Sequence, residues 1–588
     1  MFGLFALLTV KLMAAGIVSF AIIETYMIAK GNVGQAIGNL IANGIYFFLV
    51  YGITYCVLPA ISLSSIIGYN LLNLSIMLLI QGGILSLGND DSSEVNTIAM
   101  VSGLSTFGLA IVVGTIFGIV SLGDAKAVAN NAPVYTHETI KDAPMPEISQ
   151  GKSEMPVVNT TDTAKTQMKN SLGDIANSNV YSLDHIRAQI YQGKLNYVAP
   201  LDFDDFFKYV TYKKIPGYFI VDATNKNASP KFVKKDMYYT PAAYFGKDAG
   251  RNIYAYTANS GYIMMSNDPQ LEIDDKGEPY YVSTLTKRYG VTSRTDYKDK
   301  AVATINANTG KVNFYTNLNK KPSWLDIAVD PTTAADQVSS WGRERNGWAN
   351  ANMPWGSQSG VMVADENVGT EGDNNELIPM KYHNKIFYLE TMTSAKSSQT
   401  SVLGYMYTDA STGKSYYYKE NSTAMTPTRA NKLAEDLMKQ TGWNATMPLL
   451  YKIDGKPTWV VSMLDSSDAF RNYVYLLASG NGTQSTVAKG DDADSTLENY
   501  RNLFTTATAT SSDKAKTASV TGTVSRTVLS GNTLSFLMKD SNIIYSVSVK
   551  DYPLAQFIQS GDIVSFKAKV YGNVGTVSTN ISNQQLKN

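Results

Sequence analysis

The chain has 588 residues, 50 Lys+Arg against 50 Asp+Glu, and a single cysteine. Zero net charge removes the global field that would draw nucleic acid or an anionic surface toward it. The lone thiol, Cys56, rules out an internal disulfide and any zinc or iron–sulfur site that needs several thiolates.

The charge is unevenly spread. Residues 1–121 hold only Lys11, Glu24, Lys30, Asp90, Asp91 and Glu94. A membrane-spanning helix needs about 20 mostly apolar residues, and four stretches qualify: Phe2–Met27, Ala36–Leu63, Ile66–Leu87 and Ile98–Leu122. The first lacks a basic leader and is followed by three more, so it reads as a span rather than a cleaved signal peptide. Gly103, Gly108, Gly114 and Gly118 lie in the fourth, the last two as a GxxxG pair that permits close helix packing within the bundle or between copies. Lys11 and Glu24 are polar intruders in the first. They fit snorkelling to the interface, pairing between helices, or an ion or proton path. Four spans put the N-terminus and everything after Asp124 on one side. Lys30 in the first loop assigns that loop to the cytoplasm and the large C-terminal region to the outside.

Residues 124–170 read as a flexible linker, since "APMPEISQGKSEMPVVNTTDTAKTQ" has no apolar periodicity. From 171 to 485 the pattern is strands and tight turns with short helices, divided here into module regions 171–330 and 331–485. "TPTRANKLAEDLMKQTGW" predicts a helix with Thr426 as N-cap, Pro427 in the first position and Gly442 as the stop. Two phrases recur. "GYFIVDATNKNASPKFV", "AVATINANTGKVNFY" and "GYMYTDASTGKSYYY" each predict a hairpin, as do "LEIDDKGEPYYVSTL", "YKIDGKPTWVVSML" and the looser "MKYHNKIFYLETM". Their alternation predicts repeated small α+β modules.

The "DGKPTWVV" and "INANTGKV" phrases resemble PepSY-type domains, and the stretch from "NSLGDIANSNVYSLDHIRAQIYQGKLNYVAP" onward is similar to a group of Gram-positive membrane-anchored proteins with tandem modules of this kind. The resemblance implies non-catalytic modules that bind or restrain partners, sometimes peptidases, outside the cytoplasm. It carries over no catalytic residue.

Residues 486–516 read as a linker with a helix, and 517–588 as about five strands with a short helix near Pro553–Ile558, which resembles an OB-fold barrel. Its aromatics Phe536, Tyr545, Phe566 and Tyr571 are few and its basic residues scattered, which disfavours nucleic acid.

The three histidines, His137, His185 and His383, have no metal-ligand spacing, and no serine sits in a nucleophile elbow. Asp202/Asp204/Asp205, Asp274/Asp275 and Asp491/Asp492/Asp494 lack the pattern of a calcium loop and read as solvated turns and helix starts. Trp341, Trp348 and Trp355 recur every seven residues in a Gly/Asn-rich stretch that predicts a loop, either plugging a core or contacting a partner.

The expected whole is a multi-domain membrane protein: a transmembrane helical bundle (1–123), α+β PepSY-like modules, and a small all-β OB-like barrel. It is expected to be non-enzymatic, with no catalytic residue, cofactor or metal, multi-pass in the cell membrane, and to bind or scaffold partners at the cell envelope. Membrane lipid, other envelope or membrane proteins and further copies of itself (a homo-oligomer) are the expected partners. The alternatives are a transport or channel component and a regulator of a membrane peptidase.

Overall fold

The computed structural model describes residues 1–87, 93–136, 147–148, 159–225, 228–363, 378–396, 402–439, 441–479, 486–508, 516–530, 533–539, 541–550, 552–571, 574–579 and 581–586. Asp90, Asp91, His137 and residues 137–146 and 149–158 of the predicted linker lie outside them.

Four long apolar helices open the chain: α1 (Phe2–Ala29), α2 (Val33–Val57), α3 (Leu63–Leu85) and α4 (Ser93–Asn131). Each is long and apolar enough to cross a membrane. α2 stops six residues before its predicted end because Leu58 turns left-handed (φ 51°) ahead of Pro59, whose ring forbids continuation. α3 starts on Ser62, whose hydroxyl accepts from the Ser65 N–H. α4 runs nine residues past its apolar stretch. Ala125, Val128 and Ala129 are buried there against the polar body, so residues 124–131 are helix rather than tether.

The body repeats one plan. In each of three units a helix precedes five strands, two short ones lying side by side on a long central strand, followed by two more antiparallel strands. The first unit uses α5 (Thr161–Ser171), then strands 181–183, 187–191, 194–203, 215–222 and 231–237. Helix α6 (Phe206–Tyr212) is inserted within it. The second uses α7 (Ala249–Thr257) and strands 263–264, 270–273, 279–288, 295–306 and 312–315. The third uses α8 (Pro331–Glu344), α9 (Trp348–Asn352) and strands 361–363, 378–382, 385–394, 402–409 and 415–424, with Val134–Thr136 added in parallel at the last strand. A fourth, shorter unit has α10 (Pro427–Leu437) and strands 444–453, 456–464 and 470–477.

Every repeat helix is capped alike. Thr160, Asp248, Asp330 and Thr426 each accept from the backbone N–H three residues on. All six predicted hairpins form. Three units turn through two residues of positive φ, Gln192–Gly193, His383–Asn384 and Asp454–Gly455, the geometry of a type I′ turn. His383 therefore occupies a turn.

Two boundaries move. The stretch 161–171 is not linker but the first repeat's helix, with Ala164 and Met168 fully buried. The two module regions hold two units each. Residues 1–482 form one compact unit.

The second compact unit comprises residues 483–490 and 494–588. It contains most of α11 (Ala493–Thr508) and a closed barrel in which strands 516–530, 533–538, 544–548, 574–577 and 563–571 pair in sequence and the last returns to the first. A short 3₁₀ turn at Pro553–Phe557 sits against its core.

Candidate functional site

One end of the bundle and the second repeat are joined at α7. Tyr254 and Ala258 pack with Phe5 and Leu8 of α1. The Tyr254 hydroxyl donates to the Pro59 carbonyl at 2.9 Å, and Asn267 Nδ2 donates to the Val57 carbonyl at 3.3 Å. Arg251 is held by Asp248 at 2.7 Å and donates its Nε to the Tyr55 carbonyl at 3.1 Å. Two carbonyls in the last turn of α2, Tyr55 and Val57, which an α-helix leaves without an internal donor, and the Pro59 carbonyl just beyond it are thereby satisfied by the body. A second seam lies along α4. Arg294 donates to the Ser121 carbonyl and forms a salt bridge with Glu344 of α8 at 2.6 Å. The N-terminus of α1, the C-terminus of α2 and the body therefore share one end of the bundle, as four spans require.

Lys11 and Glu24 are not brought together. The Lys11 Nζ reaches Asn259 of the body at 2.6 Å. More than three turns further along α1, Glu24 accepts from Asn39 Nδ2 at 2.8 Å. Between them runs a polar column that the sequence analysis missed. Asn43 donates to the Asn39 carbonyl and side-chain oxygen. Tyr46 donates to Asn73 Oδ1 at 2.6 Å, while Asn73 Nδ2 donates to the Leu12 carbonyl. Asn70 donates to the Lys11 carbonyl and accepts from the Ala15 N–H, the two groups that an α-helix ordinarily pairs with each other. The Asn70 amide thus sits across one turn of α1, which continues as helix on both sides. Gln81 donates to Ser19, and Gln35 donates to the carbonyls of Ile84 and Leu85.

The column has more acceptors than donors. Gln35 Oε1, Asn43 Oδ1 and Gln81 Oε1 are buried without a partner. For Gln35 and Asn43 the amide orientation is fixed, because each NH₂ already faces two acceptor oxygens. An orphaned buried acceptor costs about 1–3 kcal/mol. The signal available in sequence was the spacing of Gln35, Asn39 and Asn43, four residues apart and so on one face of α2.

The glycines divide. A Cβ on Gly103 would lie 2.9 Å from Leu79 Cγ, so its lack of side chain seats α3 against α4. Gly16 and Gly82 do the same against Met77 and Met100. Gly108, Gly114 and Gly118 face open space.

The tryptophans also divide, and the predicted loop is replaced by two helices. Trp341 lies on α8 and is buried against Val128, Tyr297 and Tyr417. Trp348 begins α9, and Trp355 is 79% exposed beyond it. Pro331 at the first helical position and the Asp330 cap outweigh the glycine at 342, which is needed because a Cβ there would meet the Val361 carbonyl oxygen at 2.2 Å.

Among the described residues no three His, Cys, Asp or Glu side chains converge as a metal set. The acidic clusters split by role. Asp205 caps α6 and Asp204 pairs with Lys208, while Asp202 turns inward to accept from Phe203 N, Thr240 Oγ1 and Ala242 N. Asp274 organises its own turn by accepting from Lys276 N and Glu278 N.

No protein-family model matches this chain, and none of the curated proteins matches it.

Burial shapes the remaining titratable groups. It raises Asp202 to about 7 against three hydrogen bonds that pull down, and it raises Glu390 to about 8. Neither carboxyl oxygen of Glu390 has a partner. It lowers Lys300 to about 7, whose ammonium lies against Tyr297 and Gln337. Glu272 accepts from the N–H groups of Asp326 and Ile327 and is raised by burial and then by Asp326. Asp202 and Glu272 accept hydrogen bonds that satisfy them where they are buried.

In the barrel, Phe536 and Tyr545 stack and Phe566 meets both edge-on inside the core. They are not available as a surface platform for bases. The Tyr571 side chain lies outside the described ones.

Proposed function

We propose that this protein is a membrane-anchored, extracytoplasmic, non-enzymatic scaffold whose tandem modules bind partners at the cell envelope. One observation carries the reading: the body is fixed to the bundle by three carbonyl contacts at α7 and a fourth at Ser121. Whatever the modules hold is thus held at a set height above the bilayer. The four-fold repeat of helix and antiparallel sheet supports the likeness to PepSY-type modules, and the closed barrel supports an OB-like unit that adds a second contact surface. The open face of α4 at Gly114 and Gly118 suits a second copy packing there. The outside assignment rests on Lys30, at the end of α1 opposite the body. Protease treatment of intact cells tests it: digestion of the region after residue 124 supports the reading, and its survival until lysis reverses the topology. Cross-linking on intact cells then names the bound partners, and recovery of a membrane protease would favour the peptidase-regulator variant.

A second reading, a transport or channel component, is favoured by the acceptor-rich column. Unpaired amide oxygens of Gln35, Asn43 and Gln81, spread along a membrane bundle that also holds the Glu24 carboxylate, are the kind of oxygen donors along which a small cation could pass. Flux of a monovalent cation in liposomes that disappears in Glu24→Ala supports it. A tight bilayer with the wild-type protein rejects it.

A further inference from the structure

The body carries an apolar surface that a water-facing domain does not need. Nine large apolar side chains are exposed between residues 124 and 482 among those described, and seven of them fall within residues 206–256. Phe207 is 79% exposed and Phe245 62%, with Phe206, Val210, Tyr212 and Tyr256 beside them in sequence. The rings form one group rather than scattered residues. Phe206 lies 5.7 Å from Phe207, 4.9 Å from Tyr244 and 6.2 Å from Phe245. An eighth exposed residue, Val291, is three residues from Arg294, which holds α4 at Ser121 where its apolar stretch ends.

Position explains the composition. Phe245 stands three residues before Asp248, and the Asp248–Arg251 pair is the clasp on the Tyr55 carbonyl at the outer end of α2. The exposed aromatic group therefore continues the exposed apolar flank of α2, where Ile53 and Val57 are also uncovered. Charge agrees. Residues 206–247 contain eight lysines and two acidic residues, Asp222 and Asp236, in a chain of zero net charge; Lys208, Lys214 and Lys235 pair with Asp204, Asp236 and Glu278, while Lys213, Lys231, Lys234 and Lys247 form no salt bridge among the described residues. Aromatic rings with flanking lysines are the composition of surfaces that settle at the boundary between headgroups and acyl chains.

We propose that α6 and the segment Tyr244–Lys247 dip into the headgroup layer of the same bilayer that holds α1–α4, binding anionic lipid. The rings of Phe207 and Phe245 enter the acyl boundary. The lysines around them meet phosphate groups, each favoured near an anionic surface. This makes a second, peripheral lipid contact in a body otherwise held by protein contacts alone. It rests on the four helices lying in a membrane.

The test uses the full chain in nanodiscs of mixed phosphatidylethanolamine and phosphatidylglycerol. Spin labels are placed at Phe207→Cys and Phe245→Cys in a Cys56→Ser background, with Lys276→Cys on an exposed turn as the aqueous reference. The expected result is faster relaxation by oxygen than by a water-soluble nickel chelate at both aromatic positions, and the reverse at 276. Nickel-dominated relaxation at 207 and 245 overturns the proposal. Shielding from both reagents also overturns it, since a protein partner or a second copy would then cover the site. The unmodified protein gives an independent reading through a photoactivatable phospholipid. Adducts on residues 206–212 or 244–247 are expected. Adducts confined to α2 and α4 defeat this inference alone, whereas no adducts on any helix defeat the membrane assignment itself.

Discussion

The guanidinium of Arg251 lies 4.5 Å from the centre of the Tyr55 ring while its Nε bonds the carbonyl of the same residue. One side chain of the body thus grips both the ring and the backbone of a membrane helix. Arg251→Ala removes a charge-assisted hydrogen bond and a cation–π contact and leaves Asp248 buried without its cation. The combined cost is about 3 kcal/mol. Amide exchange in α7 should rise roughly a hundredfold. Arg251→Lys, which keeps the charge and loses the fork, should recover only part of this.

The glycines separate folding from association. Gly103→Leu forces a side chain into Leu79 and should cost about 1–3 kcal/mol in denaturant titration of the bundle. Gly114→Leu and Gly118→Leu meet open space. Their unfolding midpoints should match wild type while single-molecule photobleaching reports fewer copies per assembly. An unchanged copy number would remove α4 from the proposed self-association.

Asp202 and Glu390 give the body a defined pH dependence. Both have folded pKa values, about 7 and about 8, above the ordinary carboxylate range. The unfolded chain therefore loses these protons first as pH rises. Their effect is absent below pH ~4, then lowers stability up to about 7 and 8 respectively, and is constant above that. Glu390→Gln cannot ionise, so it should flatten the decline and stabilise the body by a few kcal/mol at pH 9 in thermal melts. A variant whose profile parallels wild type would show that Glu390 ionises freely in the folded state.

The hydropathy pattern located all four helices because twenty-residue apolar runs have few other uses. The six hairpins were legible because Asp–Gly and Thr–Gly–Lys turns need positive φ at particular positions. The column inside the bundle was legible only at Lys11 and Glu24. Asn70 and Asn73 are neutral and bond to other helices, so no local pattern announces them, and the four-residue spacing of Gln35, Asn39 and Asn43 marks a face of α2 without naming its partners. The helix at Trp341 was misread because glycine at 342 weighs against helix, yet close approach to residue 361 requires it. The first repeat's helix, "TDTAKTQMKNS", is polar on most of its surface and buries only a narrow stripe, so composition alone placed it in a linker.

The tryptophans provide a contrast on one short segment. Trp341→Ala empties a site packed by Val128, Val338 and Tyr417 and should cost about 3–5 kcal/mol. Trp355→Ala should change stability by less than about 0.5 kcal/mol. If Trp355 touches a partner, its loss would appear only as weaker cross-linking on intact cells.

The uninterrupted passage of α4 from lipid into the body has a mechanical consequence. Its apolar stretch from Ile98 to Leu122 is about 37 Å long, against a hydrocarbon layer of about 30 Å. Tilting or kinking of the helix, or local thickening of the bilayer, takes up the difference. Since Ala125, Val128 and Ala129 continue the same rod into the body, whatever tilt the bilayer imposes on α4 reaches the modules with no hinge between.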